Sequence, residues 1–351
     1  MVIKMRIIID AMGGDNAPGA VVEGVCMARD ELSGKVELTL VGDEARIKAV
    51  AAEKGLTLDG IDIVHTDIAI GMEESPMLIA KGKKECSMAV GLKMLTDNKR
   101  NTYGRLGDAF VSAGSTGALH MGSSLFVGRL PGVRRSGIAV LMPFDPPLLL
   151  MDSGANPTAK PEYLYQWAVV GSVYMKTVLG AENPRVGLLN NGTEECKGNE
   201  MSVEAYRLLS ESGLNFVGNI EAREIPFGPC DVIVCDGFTG NVVLKLTEGM
   251  SKFLLGKLKE IFTSGGLAGL SYLMIKSKLS GMKSSFDSSA HGGAPLLGLD
   301  KPVFKAHGSS DGRAIYNAIL GAKKCVELDV IGKMRAELEA SGGLDAGAQA
   351  E

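Results

Sequence analysis

Short apolar runs, most of them ending in Asp, Ser, Asn or Gly, alternate with longer stretches of helical spacing along almost the whole chain. The runs are RIIID, KVELTLVGD, DIVHTD, DAFVSAG, IAVLMPF, LLLMDSG, RVGLLNN, DVIVCDG and PVFKAHG. Strands that alternate with helices build a mostly parallel sheet with helices on both faces. The sequence therefore predicts an α/β fold, and a parallel arrangement would bring the loops after the strands to one binding rim.

The size and composition of the chain predict one large domain. Its 351 residues, 45% of them hydrophobic, are enough for a sizeable buried core. We expect that domain over residues 1–335, because residues 336–351 are mostly small and polar and indicate a flexible tail. The formal charge of −4 provides no overall attraction to nucleic acid.

Cysteine usage and the N-terminus favour a cytoplasmic protein. Six cysteines are scattered without a paired framework, and the first apolar run is too short for a signal peptide. No apolar run approaches the roughly 18 residues of a membrane span, so any membrane association would be peripheral. The acids lack a regular metal-ligand spacing and the chain lacks a dinucleotide fingerprint, so we expect no metal and no other cofactor.

Residues 250–286 form a basic, amphipathic segment. Up to Ser284 it holds six lysines and one acid. Leu254, Leu258 and Phe262 follow helical spacing, and a glycine pair then interrupts the pattern, which predicts a helical hairpin. Such a hairpin either packs on its own domain or on a dimer mate, or contacts a membrane or an acidic protein.

The stretch DAFVSAGSTGALHMG, residues 108–122, joins a predicted strand to a helical pattern through glycines and hydroxyl residues. Glycines allow a tight turn, so backbone N–H groups and side-chain hydroxyls can converge on an anion of phosphate size. The candidate phosphate-binding residues of this glycine loop are Ser112, Gly114, Ser115, Thr116 and Gly117. A loop of this composition also occurs as a plain connection, so the motif alone leaves both alternatives open.

More polar loops follow other predicted strands: MDSGANPTAKPEYL, LLNNGTEECKGNE, CDGFTGNVVLK and KAHGSSDGRAIYNAI. Each polar residue taken singly is explained by the capping of a helix or a strand. Together, their amides, hydroxyls and ammonium groups supply the donors that a multiply charged anion needs. The accumulation of such loops favours an anion-binding enzyme over a set of unrelated caps.

These loops, together with IIIDAMGGDNAP, GRLPGVRR and GGAPLLGL, resemble the acyl-acyl carrier protein:phosphate acyltransferases of bacterial phospholipid synthesis over nearly the whole chain. The resemblance implies an enzyme that transfers a long-chain acyl group from acyl carrier protein to inorganic phosphate. Its acyl phosphate product would serve a membrane glycerol-3-phosphate acyltransferase. The resemblance also implies a homodimer, cytoplasmic and peripherally bound to the membrane, with a fold like the isocitrate and isopropylmalate dehydrogenases and the phosphate acetyltransferases.

Within this resemblance, residues 1–335 would be the catalytic domain, and the polar loops receive roles. The catalytic residues that we expect are His307, Asp236, Lys160 and Asn241. His307 would manage a proton on phosphate or on the leaving sulfur, with Asp236 as its orienter. Besides the glycine loop, the phosphate-binding residues that we expect are Asn156, Asn190, Asn191 and Lys197. Contacts to carrier protein or membrane are expected from Arg129, Arg134, Arg135, Lys252, Leu254, Lys257, Leu258 and Phe262.

Three other functions compete with this hypothesis. The nearest is a short-chain phosphate acetyl- or butyryltransferase that uses acyl-coenzyme A. A nicotinamide-dependent enzyme is disfavoured by the missing fingerprint. A non-enzymatic scaffold on the membrane surface would leave the dense polar loops unexplained.

Overall fold

An eleven-stranded sheet forms the centre of the computed structural model, which describes residues 4–32, 34–96, 101–103, 106–263 and 292–341. The strands are β1 Met5–Asp10, β2 Val36–Gly42, β3 Ile61–His65, β4 Ala109–Ser112, β5 Gly137–Met142, β6 Leu148–Met151, β7 Arg185–Asn190, β8 Asn215–Glu221, β9 Val232–Val234, β10 Ala294–Leu297 and β11 Val303–Lys305. Their order across the sheet is β3-β2-β1-β4-β11-β10-β5-β6-β9-β7-β8. All except β8 and β10 coincide with the runs predicted from the sequence.

The sheet consists of two parallel halves that run in opposite directions. Strands β3, β2, β1, β4 and β11 are parallel to one another, and so are β6, β9, β7 and β8. Between the halves, β10 and β5 are each antiparallel to both of their neighbours. The expectation of a single rim for all carboxyl ends is therefore wrong, because this antiparallel centre reverses the second half.

Helices cover both faces of the sheet. They are α1 Gly19–Leu32, α2 Glu44–Glu53, α3 Leu78–Lys81, α4 Ser87–Lys93, α5 Thr116–Gly122, α6 Pro161–Leu179, α7 Glu200–Ser210, α8 Gly237–Thr263, α9 Gly312–Glu327 and α10 Val330–Ala340. Successive residues of a strand point to opposite faces. In β1, Ile7 and Ile9 pack in the core that includes α1 and α9, whereas Ile8 packs in the core that includes α4 and α5. The predicted mostly parallel α/β architecture is confirmed.

The last helices bear on two predicted boundaries. The C-terminal part of α8 covers the start of the hairpin predicted over 250–286, and the rest of that hairpin lies outside the described residues. Helix α10 packs against α6 and buries Leu338. The boundary predicted at residue 335 therefore falls inside a helix that belongs to the core. Among the described residues, no helix combines the length and apolar character that a membrane span requires.

Candidate active site

A cleft of about 490 Å³ lies where the loops after β1, β4 and β11 meet β5 and α8. Both halves of the sheet contribute to it, since Thr116 follows β4 whereas Ser153 follows β6. Its polar lining includes Asp15, Thr116, Asn241, Lys245, Lys305, His307 and Ser310. Its apolar lining includes Ile138, Val140, Leu141 and Leu244. The cleft is thus formed by loops from both halves of the sheet.

Lys305, the last residue of β11, is the most deeply buried cation of this cleft, with 9% of its surface exposed. Its Nζ donates to the carbonyl oxygen of Ala113 at 3.1 Å and to that of Ala306. These bonds use two of the three ammonium donors, and the third has no partner within the described ranges. Burial lowers the pKa of Lys305 to about 8, although the negative charges of Asp15 and Asp10 oppose that shift. A cation with a spare donor in a cleft suits a small anion.

The loop after β11 carries His307 to the rim of the cleft. Its Nδ1 lies 2.9 Å from Ser309 Oγ and accepts the Ser309 N–H at 3.3 Å, so Nε2 carries the proton of the neutral ring. Partial burial and the positive charge of Lys245 lower the pKa of His307 from its usual 6.5. At neutral pH His307 therefore offers an uncharged Nε2–H donor.

A buried carboxylate, Asp10, holds the glycine loop in place. Its Oδ1 accepts Ser87 Oγ–H at 2.6 Å and the Met12 N–H at 3.1 Å, while Oδ2 accepts Ser112 Oγ–H at 2.7 Å. Ser112 Oγ in turn accepts the Gly114 N–H at 3.0 Å. Burial raises the pKa of Asp10, and these hydrogen bonds oppose the rise. The network ties the loop after β1 to α4 and to the glycine loop.

Replacing this carboxylate, Asp10→Ala, is expected to lower the free energy of unfolding by about 3 kcal/mol, because several buried donors lose their acceptor and each loss costs about 1–3 kcal/mol before relaxation. Urea unfolding measures the change. The exposed Asp30, changed to Ala, serves as control and should shift stability by no more than about 0.5 kcal/mol. A loss for Asp10→Ala as small as that of the control would contradict the bracing role.

Three of the residues selected from the sequence line the cleft together: Thr116, Asn241 and His307. Thr116 begins α5, Asn241 lies in the first turns of α8, and His307 follows β11. Residues from distant parts of the chain are thus brought to one cavity. Their hydroxyl, amide and imidazole groups surround the same space as Lys305.

The other selected residues of the glycine loop are not among those that line the cleft. The hydroxyl of Ser112 is used by Asp10, and Ser115 is the buried residue that precedes α5. Gly114 and Gly117 are closely packed, because an added Cβ would come within 2.6 and 2.7 Å of neighbouring side chains, respectively. The neighbour of Gly117 is the ring of Pro76, so space favours glycine there, whereas the neighbour of Gly114 is the terminal methyl group of Met88.

Two other residues selected from the sequence, Asn156 and Asp236, form hydrogen bonds that stabilise local structure. Asn156 Nδ2 donates to the carbonyl oxygen of Ser136 and to Asp152 Oδ2, both at 2.8 Å. Asp236 accepts the N–H and the Oγ–H of Thr239 at 2.9 and 2.7 Å, at the start of α8. The partner that the structure gives to the His307 ring is Ser309, so the predicted pairing of Asp236 with His307 is not made.

The loop after β7 and the start of α6 lie apart from the residues that line the cleft. Asn190 Nδ2 donates to the Lys197 carbonyl oxygen and to Asn219 Oδ1, both at 3.0 Å. Asn191 and Lys197 are exposed on this loop. Lys160 is also exposed and immediately precedes α6. The second half of the sheet reaches the cleft through Ser153 and Asn241 instead.

The predicted contact residues lie on two surfaces. Arg129, Arg134 and Arg135 are exposed in the loop before β5. Lys252, Leu254, Lys257 and Leu258 lie on α8, where all but the half-buried Leu258 are exposed. The side chain of Phe262 lies outside the described part of the structure. Other large apolar side chains are exposed on the same helix, namely Phe238, Val242, Leu246, Met250, Phe253 and Ile261.

Two residues that now stand out, Lys305 and Ser310, receive no individual role from the sequence. Both belong to the loop KAHGSSDGRAIYNAI, whose polar side chains, these two included, favour anion binding. Lys305 was detectable as a charge at the end of an apolar strand. In the folded chain its Nζ is bound by the carbonyl oxygen of Ala113, a residue that follows β4 and is distant in sequence.

The arrangement suits a small multiply charged anion that lies next to an apolar group. An ammonium, hydroxyls, an amide and an imidazole provide hydrogen-bond donors, and Ile138, Val140 and Leu244 provide an apolar wall. No cluster of His, Cys, Asp and Glu able to hold a metal ion occurs among the residues that the structure describes.

Comparisons with known proteins agree with this chemistry. A family model described as "Fatty acid synthesis protein" matches residues 5–333. A phosphate acyltransferase of Caldicellulosiruptor bescii is 45% identical over 338 residues, covering 96% of this chain and 99% of that protein. A phosphate acyltransferase of Bacillus licheniformis is 44% identical over 328 residues, covering 93% and 96%, respectively. The resemblance recognised in the sequence motifs is confirmed.

Solved structures show the fold. A phosphotransacetylase from Streptococcus pyogenes superposes with a TM-score of 0.56 at 17% identity, covering 96% of this chain and 94% of that one. The EutD phosphotransacetylase from Staphylococcus aureus gives 0.55 at 17% identity, covering 92% and 94%. At this identity the likeness concerns the fold alone.

Proposed function

The chain belongs to the fatty acid synthesis protein family, and we propose that it is a phosphate acyltransferase that transfers a long-chain acyl group from acyl carrier protein to inorganic phosphate. The acyl phosphate product would supply glycerol-3-phosphate acylation in phospholipid synthesis. Its relatives at more than 40% identity over nearly the whole chain carry the name phosphate acyltransferase. The proposal requires a site that holds phosphate beside an acyl group.

The observation that carries this proposal is the buried Lys305 with a spare donor, in a cleft that also has an apolar wall. The ammonium would bind a phosphate oxygen, assisted by the hydroxyl of Thr116 and the amide of Asn241. The acyl chain would lie against Ile138 and Leu244. Phosphate and the thioester carbonyl would thereby be held next to each other.

The reaction replaces the carbon–sulfur bond of the thioester by a bond between the acyl carbon and a phosphate oxygen. A phosphate oxygen attacks the acyl carbon, the carbon–sulfur bond breaks, and the proton of the hydrogen phosphate dianion ends on the sulfur. The products are acyl phosphate and the free thiol of the carrier. A thiol with a pKa near 8.5 is a good leaving group, so positioning and charge stabilisation supply most of the catalysis. The Nε2–H of His307 would stabilise negative charge on the leaving sulfur.

The test is loss of thioester from purified palmitoyl-acyl carrier protein, with the acyl product trapped by hydroxylamine. Acyl hydroxamate that forms with phosphate and not in water-only controls supports the proposal. Turnover of short acyl-coenzyme A without reaction of the carrier-bound substrate would instead establish the short-chain alternative. Inactivity with both donors would favour the scaffold.

The remaining sequence-based expectations stay proposals. We keep Lys160, Asn156, Asn190, Asn191, Lys197 and Asp236 as candidates for support of the site, with direct contact to phosphate assigned to the cleft residues. The dehydrogenase-like relationship, the helical hairpin, the homodimer and the cytoplasmic, peripherally membrane-bound location rest on the resemblance. Light scattering of the purified protein tests the dimer.

Peripheral binding is supported by the exposed surface of α8. Its apolar side chains and its lysines Lys252 and Lys257 occupy one long helix that also lines the cleft through Leu244 and Lys245. An anionic lipid surface and an acidic carrier protein would both be attracted by these lysines. An acyl phosphate with a long hydrophobic chain would then be released close to the bilayer.

The double substitution Lys252→Glu with Lys257→Glu is expected to weaken binding to anionic phospholipid vesicles about 10-fold or more, since each basic residue near such a surface contributes about 1 kcal/mol. Vesicle co-sedimentation measures the effect. The double substitution Lys35→Glu with Lys333→Glu changes the net charge equally at exposed positions elsewhere and should leave binding nearly unchanged. Equal effects of the two pairs would argue against α8 as the contact surface.

A further inference from the structure

Ser310 lines the cleft, and its buried hydroxyl has no partner among the described residues. The residue is 7% exposed and lines the cavity, and its Oγ forms no hydrogen bond with any residue that the structure describes. A buried hydroxyl without a partner costs free energy, so proteins rarely keep one. Where the residue that carries such a group lines a cavity, a ligand can supply the missing bond once the side chain rotates toward it.

The other polar groups of Ser310 are fully engaged. Its N–H donates to the His307 carbonyl oxygen at 3.0 Å, and its carbonyl oxygen accepts Asn16 Nδ2 at 3.1 Å. Asp15 N–H donates to the Gly308 carbonyl oxygen at 2.8 Å and braces the same loop. The backbone of Ser310 is therefore held in place, and Oγ is the one polar atom of this residue without a partner among the described residues.

Helix capping does not account for this serine. The N-cap of α9 is Asp311, whose Oδ1 accepts the Ala314 N–H at 2.9 Å. The hydroxyl of Ser309 is likewise used, because it contacts the His307 ring. Of the two adjacent serines, Ser310 is the one whose side chain serves no local structure.

We propose that Ser310 binds the substrate anion directly, its Oγ–H donating to an oxygen of inorganic phosphate held beside Lys305. This inference rests on the proposed function and adds a residue to its phosphate site. Ser310 lines the same cleft as Lys305, His307 and Thr116, so a tetrahedral anion among them would receive donors from several sides. Binding would then satisfy the hydroxyl that the free protein leaves unpaired.

This role has two opposite consequences. Removing the hydroxyl removes a bond to a charged acceptor, so phosphate affinity falls. The same change removes an unsatisfied buried group from the free protein, so its stability stays the same or rises. A purely structural serine would not combine these effects.

Ser310→Ala is expected to weaken phosphate binding about 10- to 100-fold, the usual range for losing one hydrogen bond to a charged group. The dissociation constant comes from the rise in melting temperature with inorganic phosphate, and KM for phosphate provides the kinetic counterpart. The melting temperature without phosphate should not fall. Ser310→Cys, close in size and a poor donor, is measured beside it and should show the same loss.

Ser172→Ala is the matched control. Ser172 is 9% exposed, its Oγ also lacks a partner among the described residues, and it lies on α6 outside the cleft lining. This variant should bind phosphate as the wild type does. Wild-type affinity for phosphate in Ser310→Ala and Ser310→Cys, with acyl transfer intact, would overturn the role of Ser310 alone. A wild-type protein without phosphate-dependent acyl transfer would overturn the proposed function itself.

Discussion

Lys305→Met is expected to lower kcat/KM for phosphate by about 10²- to 10³-fold, the effect of removing one preorganised donor from a buried site. Methionine keeps the length and apolar stem of lysine and removes the charge. Steady-state kinetics with varied phosphate measure the change. Because the burial of Lys305 lowers its pKa to about 8, the wild-type kcat/KM for phosphate should also fall as the pH rises through about 8, when the ammonium becomes neutral.

Lys93→Met controls for the loss of a buried lysine. Lys93 is also 9% exposed, and its Nζ donates to the Lys84 carbonyl oxygen at 2.6 Å and to Glu85 at 2.5 Å. This substitution should lower the melting temperature and leave the kinetics with phosphate unchanged. Lys305→Arg keeps a positive charge at every usable pH and should remove the alkaline fall. Unchanged phosphate kinetics in a folded Lys305→Met protein would remove Lys305 from the site.

His307→Ala is expected to lower kcat about 10²-fold, because the leaving sulfur loses the donor that stabilises its charge. His307→Gln keeps an N–H donor and should recover a large part of that loss. Because the pKa of His307 is lowered, any inflection of kcat that this ring causes should lie below the usual 6.5. Single-turnover measurements with saturating phosphate separate this step from binding.

His65→Ala is the matched control, since His65 is an exposed histidine whose Nδ1 also accepts a backbone N–H, that of Glu44 at 3.2 Å. Its kinetics should remain those of the wild type. If His307→Gln is as inactive as His307→Ala, a hydrogen-bond donor is insufficient and His307 transfers a proton, the role that its sequence context indicated.

The sequence predicts the layers of this fold well and the direction of its strands poorly. The long apolar runs match their strands because fully buried parallel strands are continuously apolar. The missed strands, β8 and β10, contain Gly218 and Pro295, residues that usually mark turns. Strand β10 lies between β11 and β5, and the three antiparallel pairings β11–β10, β10–β5 and β5–β6 together create the reversal. It depends on pairing between distant segments, which local composition does not encode.

The same limit explains why the sequence identified only part of the candidate site. A glycine loop, an amide and a histidine were recognisable from their residue types, and Thr116, Asn241 and His307 do share one cleft. The sequence did not reveal that the Ser112 hydroxyl faces Asp10 or that the Asn156 amide is used by Asp152. Side-chain direction at the end of a strand is set by packing across the sheet, so residue type and spacing cannot supply it.

In the proposed reaction phosphate is the acyl acceptor and Lys305 holds it. The most direct test follows radiolabelled inorganic phosphate into an acylated product, with palmitoyl-acyl carrier protein as donor and the wild-type and Lys305→Met proteins side by side. We expect label in acyl phosphate, in equal amount to the thiol released, with the wild type and almost none with the variant. Release of free fatty acid without incorporation of label would show that water is the acceptor and would contradict the proposed reaction.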